Sequence, residues 1–177
     1  MKSKRLSVYD IAIISVFVAV ISVCSFVTVP LAVPFTMQVF GVFLAVGLLG
    51  TKRAVACVVA YLLLGMAGVP VFSNFQGGAQ VLFGQTGGFL VGFALSAFIS
   101  GVLIRKLKDG FVTVFFAMFV GLLACYFCGV LWLLIGFSFD FKAAIILTAP
   151  LFAFDIVKIA LAAALSIRLK KYVRYLK

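Results

Sequence analysis

Asp155 and Lys158 are two ionisable residues inside an apolar run near the C-terminus. They stand three positions apart, so on a helix their side chains share one face. Each of them costs roughly 2.5–3.5 kcal/mol at the centre of a membrane helix, so a specific role must offset that cost. We expect the two residues to form the polar floor of a ligand pocket. The alternative is an ion pair that only holds two helices together.

The uncharged stretch over residues 68–88 is the second place where the residue types suggest chemistry. Its six glycines permit tight turns and close approach of the backbone to a ligand. Its neutral polar and aromatic side chains together suit a small, mostly neutral and partly apolar molecule. The alternative is a flexible outer loop, although such loops are normally less aromatic. The polar residues are Asn74, Gln76, Gln80, Gln85 and Thr86, and the aromatic residues are Phe72, Phe75 and Phe83.

Composition restricts the class of protein. The chain is 66% hydrophobic and 11% charged, whereas a soluble domain is roughly 45–50% apolar and about 25% charged. A soluble protein of 177 residues could not bury so much apolar surface, so we expect one transmembrane substrate-binding domain over residues 1–177. The absence of His and Glu excludes zinc-protease motifs and a Ser–His pair. We therefore predict no enzymatic activity and no cofactor, with a Ser–Lys dyad on Lys158 left open.

Six apolar runs predict an all-α integral membrane protein, a compact bundle of six transmembrane helices with a Gly-rich outer loop. The second and third runs are shorter than the ~17 residues that usually cross a bilayer. We expect two helices that extend into their flanking loops or border a cavity, and a single re-entrant hairpin is the alternative. The runs cover residues 8–29, 37–50, 54–66, 87–104, 111–137 and 143–169, the last interrupted by Pro150.

Basic residues indicate how these spans are oriented. With six spans, both termini and the turns after the second and fourth runs share one side, which carries 13 of the 15 Lys and Arg residues. Only Lys142 falls on the other side, and Lys158 falls inside a span. The positive-inside rule makes the basic side cytoplasmic, so we expect a multi-pass protein with both termini in the cytoplasm. The net charge of +11 follows from this topology and does not indicate nucleic-acid binding.

Small residues recur on two of the runs. On the fourth run they stand every four positions and predict close helix packing within the chain. On the first run, Ser15 and Ala19 form a small-xxx-small pair with Ala12 on a nearby face, and this stripe could instead face another subunit. The residues of the fourth-run stripe are Gly84, Gly88, Gly92, Ser96 and Ser100.

Several segments in order give the chain a specific resemblance. They are PFTMQ at 34–38, LLG at 48–50, YLLLGMAGVPVF at 61–72, GG at 77–78, GQTGG at 84–88 and DIVK at 155–158. Together they resemble the biotin-specific substrate-binding subunit, the BioY family of S components, of energy-coupling-factor (ECF) transporters, over about residues 8–170. Gln85 departs from that family, which often has proline there, and we expect this to change loop rigidity and not ligand identity.

The resemblance implies a six-helix subunit of the bacterial plasma membrane that captures biotin from outside with high affinity. It also implies partnership with a transmembrane coupling subunit and two cytoplasmic ATPase subunits. Members of the family use small residues on the first helix to contact the coupling subunit. Here Ala12, Ser15 and Ala19 match that role loosely.

The ureido head of biotin has two N–H donors and one carbonyl. Asp155 can accept from the N–H groups, while Asn74 and Lys158 can donate to the carbonyl. Leaving such buried polar groups unpaired costs roughly 1–3 kcal/mol each. We therefore expect strong discrimination against analogues that lack the ureido ring.

The remainder of biotin needs an apolar wall and donors for a carboxylate. Phe35, Phe72 and Phe75 suit the thioether ring and the aliphatic chain. Gln38, Gln85 or loop N–H groups are the candidates for the carboxylate, and the lysine of the buried pair could contact it instead.

Three further readings stay open. A sister subunit would bind a different vitamin with the same architecture. A membrane scaffold or channel would bind no small molecule, and Asp155 with Lys158 would then be a structural pair. A membrane enzyme, in contrast, would need turnover that depends on Lys158 or a serine.

Overall fold

Helices dominate the computed structural model, which describes residues 7–31, 33–107 and 110–173. Two short strands, β1 (Thr28–Val29) and β2 (Phe35–Thr36), pair antiparallel with Thr28 opposite Thr36. Some of the basic residues used to predict the topology lie outside the described residues, namely Lys2, Lys4, Arg5, Lys108, Arg174 and Lys177. The helices are α1 (Val8–Phe26), α2 (Gln38–Leu49), α3 (Thr51–Met66), α4 (Ala79–Phe83), α5 (Gly87–Lys106), α6 (Phe111–Phe137) and α7 (Phe141–Val173).

Within the described ranges, α1, α5, α6 and α7 are long and apolar enough to cross a membrane. The helices of the second and third apolar runs are shorter. α2 has 12 residues and α3 has 16. These lengths correspond to about 18 and 24 Å, below the ~30 Å of a hydrocarbon core. The fold is therefore an all-helical membrane bundle with four candidate spans, and the exact number of six crossings stays a prediction.

The start of α1 is fixed by local hydrogen bonds and by one ion pair. The Ser7 hydroxyl accepts from the Asp10 backbone N–H at 3.1 Å, and the Ser7 N–H donates to the Asp10 carboxylate at 3.0 Å. This reciprocal pairing satisfies two N–H groups at the helix start. Asp10 also pairs with Arg53 at 2.5 Å, which ties the beginning of α1 to the first turn of α3.

The turn between α2 and α3 is tighter than the sequence suggested. Gly50 alone separates the two helices, with φ of +73°, a conformation that side chains other than glycine rarely adopt. Lys52 and Arg53 belong to the first turn of α3, whereas we expected them to form the connection. The third apolar run was predicted to begin at Ala54. This was wrong, because α3 begins one turn earlier, at Thr51.

The outer segment over residues 67–86 contains more structure than a loop. A 3-10 turn covers Ser73–Phe75 and the short helix α4 follows it. Asn74 and Phe75 both have positive φ, at 57° and 55°, which is uncommon for residues other than glycine. The segment is held inward because the Gly78 N–H donates to the Gly65 carbonyl at 2.7 Å.

Two details of the long helices bear on the predictions. The last helix continues through Pro150, so the expected interruption was wrong, as prolines in membrane helices are tolerated when neighbours compensate. The predicted packing within the chain is confirmed between α5 and α6. A Cβ on Gly88 would overlap Trp132, and one on Gly92 would crowd Cys125.

Candidate functional site

Asp155 and Lys158 lie on α7 and face the interior of the bundle. Lys158 Nζ lies 2.6 Å from Asp155 Oδ1, and each residue is only 5% exposed. The sequence spacing produced this contact, because residues three apart on a helix are neighbours. The two residues therefore form an ion pair, the feature expected of a purely structural contact between helices. They also line a cavity, the feature expected of a ligand pocket.

The ammonium group of Lys158 reaches the strand pair that covers this cavity. Its Nζ donates to the Thr36 carbonyl at 2.7 Å and lies 3.7 Å from the centre of the Phe35 ring. A cation over an aromatic face is attracted to the ring quadrupole. β2 is thus held against α7 by one charged side chain. Neither hydrogen bond of Lys158 within the described residues involves a serine, so no Ser–Lys dyad forms there.

Tyr126 on α6 forms a hydrogen bond with the second carboxylate oxygen of Asp155. Its hydroxyl donates to Asp155 Oδ2 at 2.8 Å. The Tyr126 ring is held edge-on between Phe89 and Phe152, with centroid distances of 5.6 and 5.0 Å. Each carboxylate oxygen of Asp155 therefore accepts one hydrogen bond. This leaves roughly two of the four lone-pair sites of the carboxylate for a ligand.

Gln38 enters the site from the first turn of α2 and is 4% exposed. Its Nε2 donates to the Tyr61 hydroxyl at 2.9 Å, and that hydroxyl donates to the Val71 carbonyl at 2.9 Å. Ser25 donates to the same carbonyl at 2.6 Å. The amide oxygen of Gln38 accepts no hydrogen bond from the described residues, so it is available as a ligand acceptor.

These groups line one cavity between β2 and helices α2, α5, α6 and α7. Its volume is about 60 Å³, room for roughly four water molecules and well below the ~300 Å³ of a small ligand pocket. Aromatic residues form part of the wall around the polar floor. The aromatic lining residues are Phe35, Phe72, Phe89, Phe93 and Tyr126.

A wider outer cavity of about 680 Å³ adjoins the first one. The two share Pro34, Val81 and Thr86 in their walls. Asn74 and Gln85, two of the predicted binding residues, line the outer cavity. The structure therefore places neutral polar groups above the buried ion pair.

The predicted site residues fall into three groups. Gln38, Asp155 and Lys158 share the inner cavity, whereas Asn74 and Gln85 lie in the outer one. Phe75 lies in neither of these two linings. Its ring is 66% exposed and stacks on Phe26 at 4.3 Å between centroids.

Sequence reasoning missed Tyr126 and Tyr61, the two hydroxyls that hold Asp155 and Gln38. Each stands alone among apolar residues, and a lone Tyr in a membrane helix gives no spacing pattern. The useful signal is that a buried Tyr hydroxyl usually finds a polar partner. The two tyrosines lie near the two polar residues already singled out only because α3 and α6 pack beside α2 and α7.

The small residues predicted to contact a partner are exposed. Ala12, Ser15 and Ala19 all lie on the outward surface of α1, and Val16 and Val23 on that helix are also exposed. The Ser15 hydroxyl donates to the Ile11 carbonyl at 3.0 Å within the same helix. This face therefore presents little polarity to its surroundings.

Known proteins resemble this chain along nearly its whole length. A family model described as the BioY family matches residues 1–175. The chain is 44% identical to the biotin transporter BioY of Thermotoga maritima over 158 residues, which cover 88% of this chain and 92% of that protein. It is 35% identical to the probable biotin transporter BioY of Pyrococcus horikoshii over 164 residues, or 91% and 96% of the two chains.

The fold also has a close structural counterpart. The crystal structure of an S-component for biotin from an ECF-type ABC transporter superimposes with a TM-score of 0.88 at 24% identity, covering 97% of this chain and 95% of that one. At this identity the similarity concerns the fold. Since the family model spans almost every residue and a relative 44% identical aligns along most of the chain, this chain belongs to the BioY family.

Proposed function

We propose that this chain captures biotin from outside the cell with high affinity and is the substrate-specific subunit of an ECF transporter. The observation that carries this proposal is the buried Asp155–Lys158 pair on the floor of an aromatic-lined cavity in a chain of the BioY family. The protein then moves its ligand without chemical turnover. Relatives that carry the name biotin transporter support the choice of ligand.

The inner cavity matches the ureido head of biotin. Asp155 keeps acceptor capacity for the ureido N–H groups, and Lys158 can donate to the ureido carbonyl in place of the Thr36 carbonyl. A neutral head suits this floor because the charges of the pair already compensate each other. Phe35 and Phe72 supply apolar walls for the thioether ring.

The outer cavity suits the acidic end of biotin. Gln85 and Asn74 lie there as neutral donors, and the backbone around Gly84 adds N–H groups. Because the inner cavity holds only about 60 Å³, biotin must widen it on binding. We infer that β2 and the 67–86 segment separate when the ligand enters, and that Phe75 joins the wall from its place on Phe26.

The same proposal covers topology and partners. We infer six crossings in the bacterial plasma membrane, with α2 and α3 as short spans beside the cavity and both termini cytoplasmic by the positive-inside rule. The exposed face of α1 with Ala12, Ser15 and Ala19 would contact a transmembrane coupling subunit. Two ATPase subunits would supply the energy.

Ligand identity is tested most directly on purified protein. Mass spectrometry of the co-purified small molecule should detect biotin, and equilibrium titration with labelled biotin should saturate at one ligand per chain. An analogue that keeps the thioether ring and acidic chain but lacks the ureido group should bind at least a hundredfold more weakly. Saturable binding of another vitamin in place of biotin would favour a sister subunit, and no saturable ligand would favour a scaffold.

A further inference from the structure

Gln38 contributes a buried amide to the wall of the inner cavity, beside the floor formed by Asp155 and Lys158. An amide group can offer a ligand either a donor or an acceptor, depending on which of its two ends points into the cavity. A carboxylate would need the donor, whereas a ureido N–H group would need the acceptor. The hydrogen bonds on the other side of Gln38 decide which of the two a ligand meets.

A chain of hydrogen bonds behind Gln38 fixes the orientation of its amide. The Tyr61 hydroxyl lies 2.9 Å from the Val71 carbonyl oxygen and 2.9 Å from Gln38 Nε2. A backbone carbonyl can only accept, so the single hydroxyl proton of Tyr61 goes to Val71. The Tyr61 oxygen then accepts from Gln38, and of the two ends of an amide only the NH₂ group can donate. The amide oxygen of Gln38 is therefore turned away from Tyr61.

The far end of this chain of hydrogen bonds is buried and held in place. The Tyr61 side chain is fully buried. The Val71 carbonyl also accepts from Ser25 on α1, at 2.6 Å, but the one hydroxyl proton of Ser25 is shared with the Ser22 carbonyl at 2.7 Å. If Tyr61 instead donated to Gln38, the Val71 carbonyl would depend on that shared proton alone. A buried acceptor that loses its donor is costly, so the hydrogen bonds run from Gln38 through Tyr61 to Val71.

The amide oxygen of Gln38 is left as an acceptor on a residue that lines the cavity. It accepts no hydrogen bond from the residues that the structure describes. The backbone ties the same residue to the floor, because its N–H donates to Thr36 Oγ1 at 3.3 Å and the Thr36 carbonyl accepts from Lys158 at 2.7 Å. Asp155 also contacts Lys158, at 2.6 Å. The cavity therefore offers one cation and two acceptors, which come from α2 and α7.

A cyclic urea presents the complementary set of groups, because its one carbonyl acceptor is flanked by two N–H donors. We propose that Gln38 determines ligand specificity by accepting a hydrogen bond from one ureido N–H group, while Asp155 accepts from the other and Lys158 donates to the carbonyl. Tyr61 is the positioning residue that keeps the Gln38 acceptor available to the ligand. This inference rests on the proposed function, since it places the head of biotin in the inner cavity. It assigns the carboxylate of biotin to the outer cavity, away from Gln38.

Equilibrium titration of the full chain with four ligands tests which part of biotin Gln38 contacts. The ligands are biotin, biotinamide, whose carboxylate is replaced by a neutral amide, and two cyclic carbamates, each with an oxygen in place of one ureido N–H group. Gln38→Met removes the acceptor but keeps the length of the side chain. We expect it to weaken the binding of biotin and biotinamide about three- to tenfold, and that of the carbamate without the contacted N–H group by less than about twofold. The other carbamate should show the full loss.

Tyr61→Phe tests the positioning role, because it removes the hydroxyl that accepts from Gln38 and leaves the ring in place. The amide can then turn, so biotin affinity should fall about two- to fivefold. The carbamate that is insensitive to Gln38→Met should again be nearly unaffected, whereas a merely structural change would weaken the binding of all four ligands alike. Tyr172→Phe, which removes an exposed hydroxyl near the end of α7, should change none of these affinities.

Three results would overturn the inference while biotin still binds the unaltered chain. A loss in Gln38→Met for biotin but not for biotinamide would assign the residue to the carboxylate. Equal losses for all four ligands, or no loss for any of them, would show that Gln38 only fills space. An unchanged biotin affinity in Tyr61→Phe would remove the positioning role of that hydroxyl.

Gln38→Glu covers the case in which Gln38→Met does not fold. Glutamate keeps an acceptor oxygen in either protonation state, so a contact with the ureido group predicts a loss of less than about threefold. If Gln38 instead met the biotin carboxylate, like charges would lower the affinity more than about a hundredfold. An unaltered chain that binds none of the four ligands would overturn the proposed function and this inference with it, a result distinct from the failure of the Gln38 contact alone.

Discussion

The two ends of this bundle handle buried polarity in opposite ways. In the inner cavity, Lys158 contacts Asp155 at 2.6 Å and the Thr36 carbonyl at 2.7 Å, so its charge is compensated in place. One end therefore holds a paired carboxylate and ammonium group, and the other is a cavity lined by the basic residues Arg53, Arg105 and Lys170.

The difference follows from depth in the membrane. A charge surrounded by hydrocarbon must be paired, since an unpaired one costs several kcal/mol. A charge at the helix ends reaches water or lipid headgroups and needs no internal partner. The comparison indicates that the charge of a ligand can be inferred from compensation, and the paired end suits a neutral head.

The largest effect is expected from breaking the compensated pair. Asp155→Asn removes the acceptor for the ureido N–H groups and leaves Lys158 without its counter-charge, so biotin affinity should fall at least tenfold. The protein should still fold, because Lys158 keeps the Thr36 carbonyl and the Phe35 ring. Equilibrium titration measures the affinity, and size-exclusion chromatography checks the fold.

Asp140→Asn is the matched control for this change. Asp140 is exposed between α6 and α7 and, among the residues that the structure describes, accepts only from the Lys142 backbone N–H, at 3.2 Å. Biotin affinity should stay within twofold of the unaltered chain. If Asp155→Asn behaves like this control, then the buried carboxylate does not contact the ligand.

The wall of the inner cavity offers the next largest effect. A Cβ at Gly65 would overlap the ring of Phe72, which lines the cavity and is 1% exposed. Gly65→Ala should therefore displace that ring, lowering stability by about 1–3 kcal/mol and weakening biotin binding severalfold. Thermal unfolding with and without biotin measures both effects.

Gly136→Ala provides the comparison, since nothing lies within 4 Å of a Cβ built at that position. Its melting temperature should equal that of the unaltered chain or rise slightly, because alanine favours a helix over glycine. Equal behaviour of the two variants would show that Phe72 can move aside, and hence that this wall of the site is not rigid.

A smaller effect is expected from Tyr126→Phe. The change removes one hydrogen bond to Asp155 Oδ2 but leaves the Lys158 contact and the ring packing intact. We expect biotin affinity to fall about three- to tenfold, the value of one ordinary hydrogen bond of roughly 0.5–1.5 kcal/mol, because Lys158 still holds Asp155 in place. Tyr172→Phe, at an exposed position near the end of α7, should have no effect in the same titration. An unchanged affinity in Tyr126→Phe would mean that Asp155 is oriented by Lys158 alone.

The sequence predicted the parts of this molecule that depend on short spacing. The Asp155–Lys158 contact needs only a helix, and the helices themselves follow from apolar runs bounded by charge. The bonds from Lys158 to Thr36 and from Tyr126 to Asp155 join residues 122 and 29 positions apart. They depend on how β2, α6 and α7 pack, which no local pattern encodes.

The structure of the outer segment over residues 67–86 was not predicted, for a different reason. α4 has only five residues, too few for a periodic pattern to separate helix from loop. The position of Phe75 on Phe26 depends on positive φ at Asn74 and Phe75. Asn is enriched in that conformation, but Phe rarely adopts it, so the sequence does not predict two such residues in a row. The structure places Asn74 and Gln85 in the outer cavity and leaves Phe75 outside both linings, and no local pattern predicts this division.

The smallest expected effect tests whether the two ends are independent. Arg105→Gln should leave biotin affinity within twofold, because Arg105 lies at the end of α5 that is remote from Gly87 and the inner cavity. Equilibrium titration with biotin measures this effect. A loss larger than twofold would show that the two ends are coupled through α2 and α5, the helices that line both cavities.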